Sequence, residues 1–458
     1  MNGRGNERQM GKKQDDEDEI IRFFSTFALG KNRIADLTNT YQIMKHSSVL
    51  LAVVLCLAGA KALAHDIEVP NADGVTIYYN YINNGSELAV TAKGSTSSAN
   101  YSYKGDVVIP DEVTFMNRTR KVTRIGDRAF YTCTGLTSVD IPHSVTAIGQ
   151  SAFQQCTNLT TVRFHMGLTS IENYAFSYCG KLATIGFPST LTSIGVEAFY
   201  RCGELERVSI PRSLTTVGLN AFRDCKGLTA VFLESIDAWC NIDFSNDGAN
   251  PLFYAQRLFC NGGEVTSVVI PHNLTSVKSY LFTQCANLAS VIIHDDVTSI
   301  GEGTFSGCTS LGNVVIPDSV SSIGKFAFFG CSGLQSVTIG SGVKKIDGFA
   351  FDNCDIPLVI SKIEEPFNIE THTFTYNTYY NATLYVPEGT AKKYKSKTGW
   401  QNFLFIEEGV PAGISQAESR KPEIVHRYTL GGIRESTQGK GIQIIQMDDG
   451  TTRKVLLQ

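Results

Sequence analysis

Nine of the 12 cysteines stand at a fixed interval of 23 residues, in two runs: Cys133, Cys156, Cys179, Cys202 and Cys225, then Cys285, Cys308, Cys331 and Cys354. So many thiols raise two chemistries, disulfide formation and metal ligation. Neither suits residues that repeat in register, because equivalent side chains of stacked units point the same way rather than toward each other. An odd number also cannot pair completely. The spacing therefore predicts nine buried thiols acting as small hydrophobes. Cys240 and Cys260 break the period and either bridge an inserted loop or add two more core thiols.

The histidines offer a second set of ligands. His143 with His165, and His272 with His294, are each 22 apart, so stacking would set each pair on adjacent coils, one position out of line. Asp295 and Asp296 could add oxygen ligands beside His294. A metal site generally needs three or more ligands, and solvated edge residues with no metal explain the pattern better. There is no H-E-x-x-H, G-x-S-x-G, paired C-x-x-C or phosphate-loop motif. The stretch from Gly301 to Gly307 imitates a dinucleotide fingerprint, with one residue too many before the third glycine. No catalytic residue and no cofactor is expected. Forty basic against 44 acidic residues, a net charge of -4, supply no reason to bind nucleic acid or an anionic membrane.

The elements that must position these residues follow from the same period. Phenylalanine precedes each cysteine by three, at Phe130, Phe153, Phe176, Phe199, Phe222, Phe282, Phe305, Phe328 and Phe351. Columns of Ile or Val (Ile125, Ile148 and their equivalents) and of Leu (Leu136, Leu159 and theirs) accompany them. One unit reads L-x-x-V-x-I-P-x-S-V-T-x-I-G-x-x-A-F-x-x-C-x-x, as from Leu136 to Asn158. A unit this short cannot bury its own apolar residues, but stacked copies bury each column against the next, which predicts a β-rich solenoid of 23-residue coils. The L-x-x-V-x-I segment predicts a strand parallel to its neighbours, ended by proline, which has no amide hydrogen for a ladder. The A-F-x-x-C segment predicts a turn. Gly126, Gly149, Gly195, Gly218, Gly301 and Gly324 mark a bend where positive φ is cheap.

Residues 44–64 read as a secretory signal peptide, with an apolar run too short to span a bilayer, and residues 1–43 as outside the native product. Residues 65–105 are expected to cap the stack, with strand alternation at Val75, Ile77, Tyr79 and Tyr81. The solenoid is expected over 106–406, with an irregular coil at about 234–271 and closure by Thr383 to Pro387, Tyr394 and Trp400. A linker over 407–422 leads to a small antiparallel β module at 423–458, its turns marked by Gly-Gly and Asp-Gly.

With these columns in view, the sequence resembles the BspA-like leucine-rich-repeat family of bacterial surface proteins over about residues 105–360. The resemblance implies a leucine-rich-repeat fold, secretion, and a role in adhesion or protein binding, with no catalytic residues. The tail from Tyr428 to Leu457 is similar to C-terminal sorting domains of the type IX secretion system, with Y-x-L-x-G, a K-G-I strand and a D-G-T-x-x-K-V end. That likeness implies passage across an outer membrane and attachment to the cell surface.

The position between Val and Ile of the strand faces outward and varies: Asp140, Arg163, Gly186, Ser209, Phe232, Val269, Ile292, Val315 and Thr338. Four successive apolar entries, Phe232, Val269, Ile292 and Val315, would form a strip of the kind that marks a contact surface; plain β-propensity would place the same residues there. Trp239 and the loop from Asp243 to Tyr254 interrupt the regular surface and serve either recognition or local packing. The expectation is a non-enzymatic, secreted or cell-surface solenoid binding a host or bacterial surface protein, with no nucleic acid and no integral membrane span in the mature chain. An enzyme with its site in the irregular coil, or a structural spacer, are the competing readings.

Overall fold

The chain divides into two units, Met1–Leu63 and Ala64–Gln458. The structure, a computed structural model, describes residues 65–94 and 103–409, together with the backbone of four strands beyond them. Residues 44–64, read above as a signal peptide, the segment before them and most of the expected linker fall outside the described residues.

Among the described residues the chain makes about 12 solenoid turns at roughly 23-residue spacing. Each regular coil contributes a strand of three to six residues, such as Leu136–Ile141 and Arg207–Ile210, and a two-residue strand, such as Ala147–Ile148 and Ser193–Ile194. Both pair in parallel with the next coil: Val208 lies beside Val231, and Ile148 beside Ile171 and then Ile194. The strand stops where proline removes the donor, as at Pro142 after Ile141.

The inward columns make one core. All nine ladder phenylalanines and cysteines are buried, as are the Leu and Ile columns between them. The rings stack at centroid separations of 4.6 Å for Phe130 and Phe153, 4.9 Å for Phe153 and Phe176, and 5.3 Å for Phe176 and Phe199. Each such pair adds about 0.5–1.5 kcal/mol beyond the area it buries. Tyr103 stacks on Phe130 at 4.4 Å at one end, and Phe374 continues from Phe351 at 5.1 Å into Tyr379, Trp400 and Phe403 at the other.

The turn between short strand and cysteine is built differently from expectation. Gly126, Gly149, Gly195, Gly218, Gly301 and Gly324 do not have positive φ. Their reason is close approach: a Cβ at Gly149 would meet Ile125 O at 2.9 Å and Asp127 N at 2.8 Å. Positive φ falls instead on side-chain-bearing residues two and six positions onward, such as Arg128 and Thr132, Ser151 and Gln155, Glu197 and Arg201. That backbone costs about 1–2 kcal/mol for an L residue. It is offset by hydrogen bonds between coils, because the amides of Arg128, Phe130 and Thr132 all donate forward, to the carbonyls of Gln150, Ala152 and Gln154 at 2.7–2.9 Å. The intervening amides of Ala129, Tyr131 and Cys133 close turns within their own coil.

Before the first regular coil, Ile67–Pro70, Thr76–Ile82 and Glu87–Thr91 form antiparallel pairs, and the last runs parallel to Arg118–Ile125. The expected alternation fails there: Ile77, Tyr78 and Tyr79 are all buried while Tyr81 is exposed. Tyr78 belongs inside because its ring meets that of Tyr103, whose hydroxyl accepts from the Tyr78 amide at 3.1 Å and donates to Thr91 O at 2.6 Å. At the other end Thr383–Val386 and Phe405–Glu408 join the long sheet in parallel. Near the C-terminus Ile424–Thr429, Arg434–Glu435, Gly441–Met447 and Thr452–Leu457 pair in an antiparallel sheet.

Candidate functional site

The outward column lies on three parallel sheets, broken between Thr161–Phe164 and Thr184–Gly186 and again before Ser267–Val269, and inside each sheet the strands are pinned on both flanks by ladder hydrogen bonds. The column starts at Val108, 46% exposed beside Asp140, and its next members are polar and engaged with their surroundings: Asp140 accepts from Arg163 at 3.2 Å and pairs with His165 at 2.7 Å. Beyond Gly186 and Ser209 it turns apolar at Phe232, half-buried, which stacks at 5.2 Å on Phe259. The Arg257 guanidinium lies 5.0 Å from the centre of the Phe259 ring and pairs with Glu264 at 2.8 Å. That ion pair, helped by Asn287, holds the Glu264 carboxyl below the usual carboxylate range.

The strip is not continuous. Gly263–Glu264 folds back antiparallel on Leu258–Cys260, so the sheet carrying Phe232 ends there and a second begins at Ser267–Val269. In the second sheet Val269 lies beside Ile292, and the pairing of Ser290 with Asn313 sets Ile292 next to Val315. Ile292 is 42% and Val315 51% exposed, whereas Val269 is half-buried. The column then runs through Thr338, Ile360 and Tyr385 to Glu407. Phe259, Ile360 and Tyr385 thus share the column and were missed, because they sit 27, 22 and 25 residues after their predecessors rather than 23, although Thr338 and Ile360 are both buried and interrupt the exposed strip. Only the pattern of an apolar residue flanked by two core residues could have found them.

Trp239 is a correction. It is 1% exposed, packs at 5.1 Å on Phe244 and donates through Nε1 to Leu281 O at 3.0 Å. It offers no surface to a partner and instead ties the irregular coil to the next one. Ser235 starts its helix, Ile236–Cys240, by accepting from the Ala238 amide at 3.3 Å. Cys240 and Cys260 are both free thiols, the first buried and the second half-buried. Asn250 in the same coil is fully buried and donates to Tyr280 O at 2.7 Å and Leu281 O at 3.1 Å, a purely structural use of an amide. Nearby, Gly303 lines a cavity of about 250 Å³ walled by Phe253, Tyr280, Phe326 and Phe329.

The ladder thiols do more than fill space. Cys156 Sγ donates to Phe130 O of the preceding coil at 3.0 Å, and Cys179, Cys202, Cys225, Cys308, Cys331 and Cys354 repeat the contact at 3.0–3.3 Å. Burial pushes the thiols of Cys179 and Cys285 up to about 12, and those of Cys156, Cys202, Cys308 and Cys331 further in the same direction. Such thiols are poor nucleophiles and poor ligands. Among the described residues no helix is long and apolar enough to cross a membrane.

Compared with known families, residues 110–237 and 255–381 match the model of the BspA type leucine rich repeat region, in 6 copies. Similar solved structures include a leucine rich repeat protein of T. pallidum, 28% identical, covering 51% of this chain and 87% of that one with a TM-score of 0.34. A leucine-rich repeat protein from Bacteroides ovatus is 25% identical over 62% of this chain and 92% of that one, TM-score 0.29. The pneumococcal vaccine antigen PcpA is 18% identical over 76% of this chain and 99% of that one, TM-score 0.44. No curated protein matches the chain.

Proposed function

This chain belongs to the BspA-type leucine-rich-repeat family, and we propose that it is an exported, non-catalytic protein that binds a host or bacterial surface protein through the apolar strip of its long sheet. The observation that carries this reading is the exposure of Ile292 and Val315, adjacent on a sheet whose backbone is fixed by its neighbours. An apolar patch on a rigid support suits protein contact, because ordering costs little on binding. Half-buried Val269 extends the patch on one side, and Phe232 with Phe259 form a second, smaller patch across the hairpin. A signal peptide at residues 44–64 and a sorting module at 423–458 are part of the same proposal: secretion, then display at the cell surface.

The test is a double substitution, Ile292→Ser with Val315→Ser, in the full chain. Both side chains stand half out of solvent contact, so folding should survive. Capture of surface-protein extracts on immobilised wild type and variant should show a partner retained by the first and lost by the second. An identical capture pattern, with both proteins folded, refutes the contact surface. Fractionating producing cells with and without residues 423–458 tests display separately.

A further inference from the structure

The geometry points to a divalent transition-metal site, of the kind zinc occupies, built from His272, His294 and Asp296. His294 stands where other coils place proline, as at Pro271 one coil earlier, and this position sinks its ring to 7% exposure. There Nε2 lies 3.0 Å from Pro271 O, which can only accept, so Nε2 carries the proton. The Asp296 amide donates to Nδ1 at 3.2 Å, which marks Nδ1 as the nitrogen with the lone pair. A metal-binding histidine is typically held in this way, its far N–H on a carbonyl that fixes the tautomer.

Two further ligands converge on that lone pair. Asp296 Oδ2 is 3.4 Å from His294 Nδ1 and 3.8 Å from His272 Nδ1, and the three ligand atoms all lie within 4.8 Å of one another. The two imidazole centroids lie 4.4 Å apart with the rings tilted by 35°. An ion would take the place of the Asp296 amide on Nδ1, which needs a shift of the exposed backbone at Asp295 and Asp296 as well as rotation of the His272 and Asp296 side chains, 70% and 68% exposed. Two imidazoles with one carboxylate select zinc, nickel or copper over magnesium or calcium, and three protein ligands leave a coordination position open to solvent.

The chain supplies its own control. His143 and His165 repeat the 22-residue spacing, yet His143 pairs with Asp111 at 3.3 Å while His165 pairs with Asp140 at 2.7 Å, so no third ligand is shared. In the first pair each histidine thus has a carboxylate of its own, whereas in the second both histidines share Asp296. This inference stands apart from the protein-contact proposal.

The experiment is calorimetric titration of zinc chloride into the full chain, with thermal unfolding as a second readout. His272→Ala and Asp296→Asn should each weaken binding about tenfold or more and abolish the zinc-induced rise in unfolding temperature, with the metal-free transition unchanged. His143→Ala should bind as wild type does. Absence of zinc binding, equal loss in His143→Ala, full binding in both site variants, or magnesium chloride matching zinc chloride would overturn it.

Discussion

Replacing Gly218 tests why glycine stands in the bend. A Cβ built there would lie 2.6 Å from the carbonyl carbon of Gly195 and from Val196 N, and 3.0 Å from Gly195 O. Carbon contacts settle near 3.5–4.0 Å, so the preceding coil must withdraw by about 1 Å. The atoms struck are all backbone, and the same coil receives the Gly218 amide on Ile194 O at 2.8 Å, so withdrawal also strains a ladder bond. Overpacking of about 1–3 kcal/mol plus roughly 1 kcal/mol for the weakened bond puts Gly218→Ala near 3 kcal/mol. Gly203→Ala, where a Cβ meets nothing within 4 Å, should stay within about 0.5 kcal/mol of wild type. Gly218→Asn separates the two explanations. Were positive φ the requirement, asparagine would be tolerated better than alanine; with close approach as the cause it should be no better. Urea midpoints for the three variants, followed by circular dichroism, decide. A wild-type midpoint for Gly218→Ala, or an asparagine variant about 1 kcal/mol more stable than the alanine one, refutes the reasoning.

Phe176→Ala removes a fully buried ring from the middle of two stacks and should cost about 3–5 kcal/mol, read as a fall in the urea midpoint. A thiol reagent applied to the native chain should label Cys260 while the ten buried cysteines stay unlabelled, as peptide mass spectrometry would show; labelling of Cys179 at the rate of Cys260 would contradict the burial. Stability should also fall in alkali. With the folded thiol of Cys179 raised to about 12, its contribution is complete below the unfolded value near 8.5 and is lost as pH rises from there, by about 1.4 kcal/mol per pH unit. Urea midpoints at pH 8 and pH 10 should therefore converge more closely in Cys179→Ala than in wild type.

The core was legible because it is written many times over. A column such as Phe130, Phe153 and Phe176 reports one direction of one side chain at each turn, and only inward burial satisfies it. The outward column was legible where the period held and lost where it slipped, at Phe259, Ile360 and Tyr385. Trp239 was ambiguous for a related reason: a single coil of irregular length has no copies to show which way its residues point. The role of the glycines was misread because a repeated glycine signals either positive φ or a near neighbour, and only the distance to the preceding coil tells them apart. Only some of the residues at positive φ announced the conformation by type, Asn220, Asn353, Gly303, Gly307 and Gly330 among them, while Arg128, Tyr174 and Glu197 did not. The histidine cluster needed Asp296, whose approach depends on the path of the chain after Ile293.

The forward-pointing amides of each turn carry one more consequence. Rows of backbone N–H groups aimed the same way are what proteins use elsewhere to hold anions. In the regular coils such rows are filled by carbonyls of the following coil. Before the irregular coil the amides of Asn220 and Asp224 go to Asn246 Oδ1 and Tyr254 Oη, and at the end the Phe351 amide donates to Thr373 O at 2.9 Å. A chain cut back to a regular coil would present its row bare, an electropositive rim open to phosphate or to the leading coil of another copy. The segment from Glu370 to Phe374 is thus an electrostatic stopper as much as an apolar lid.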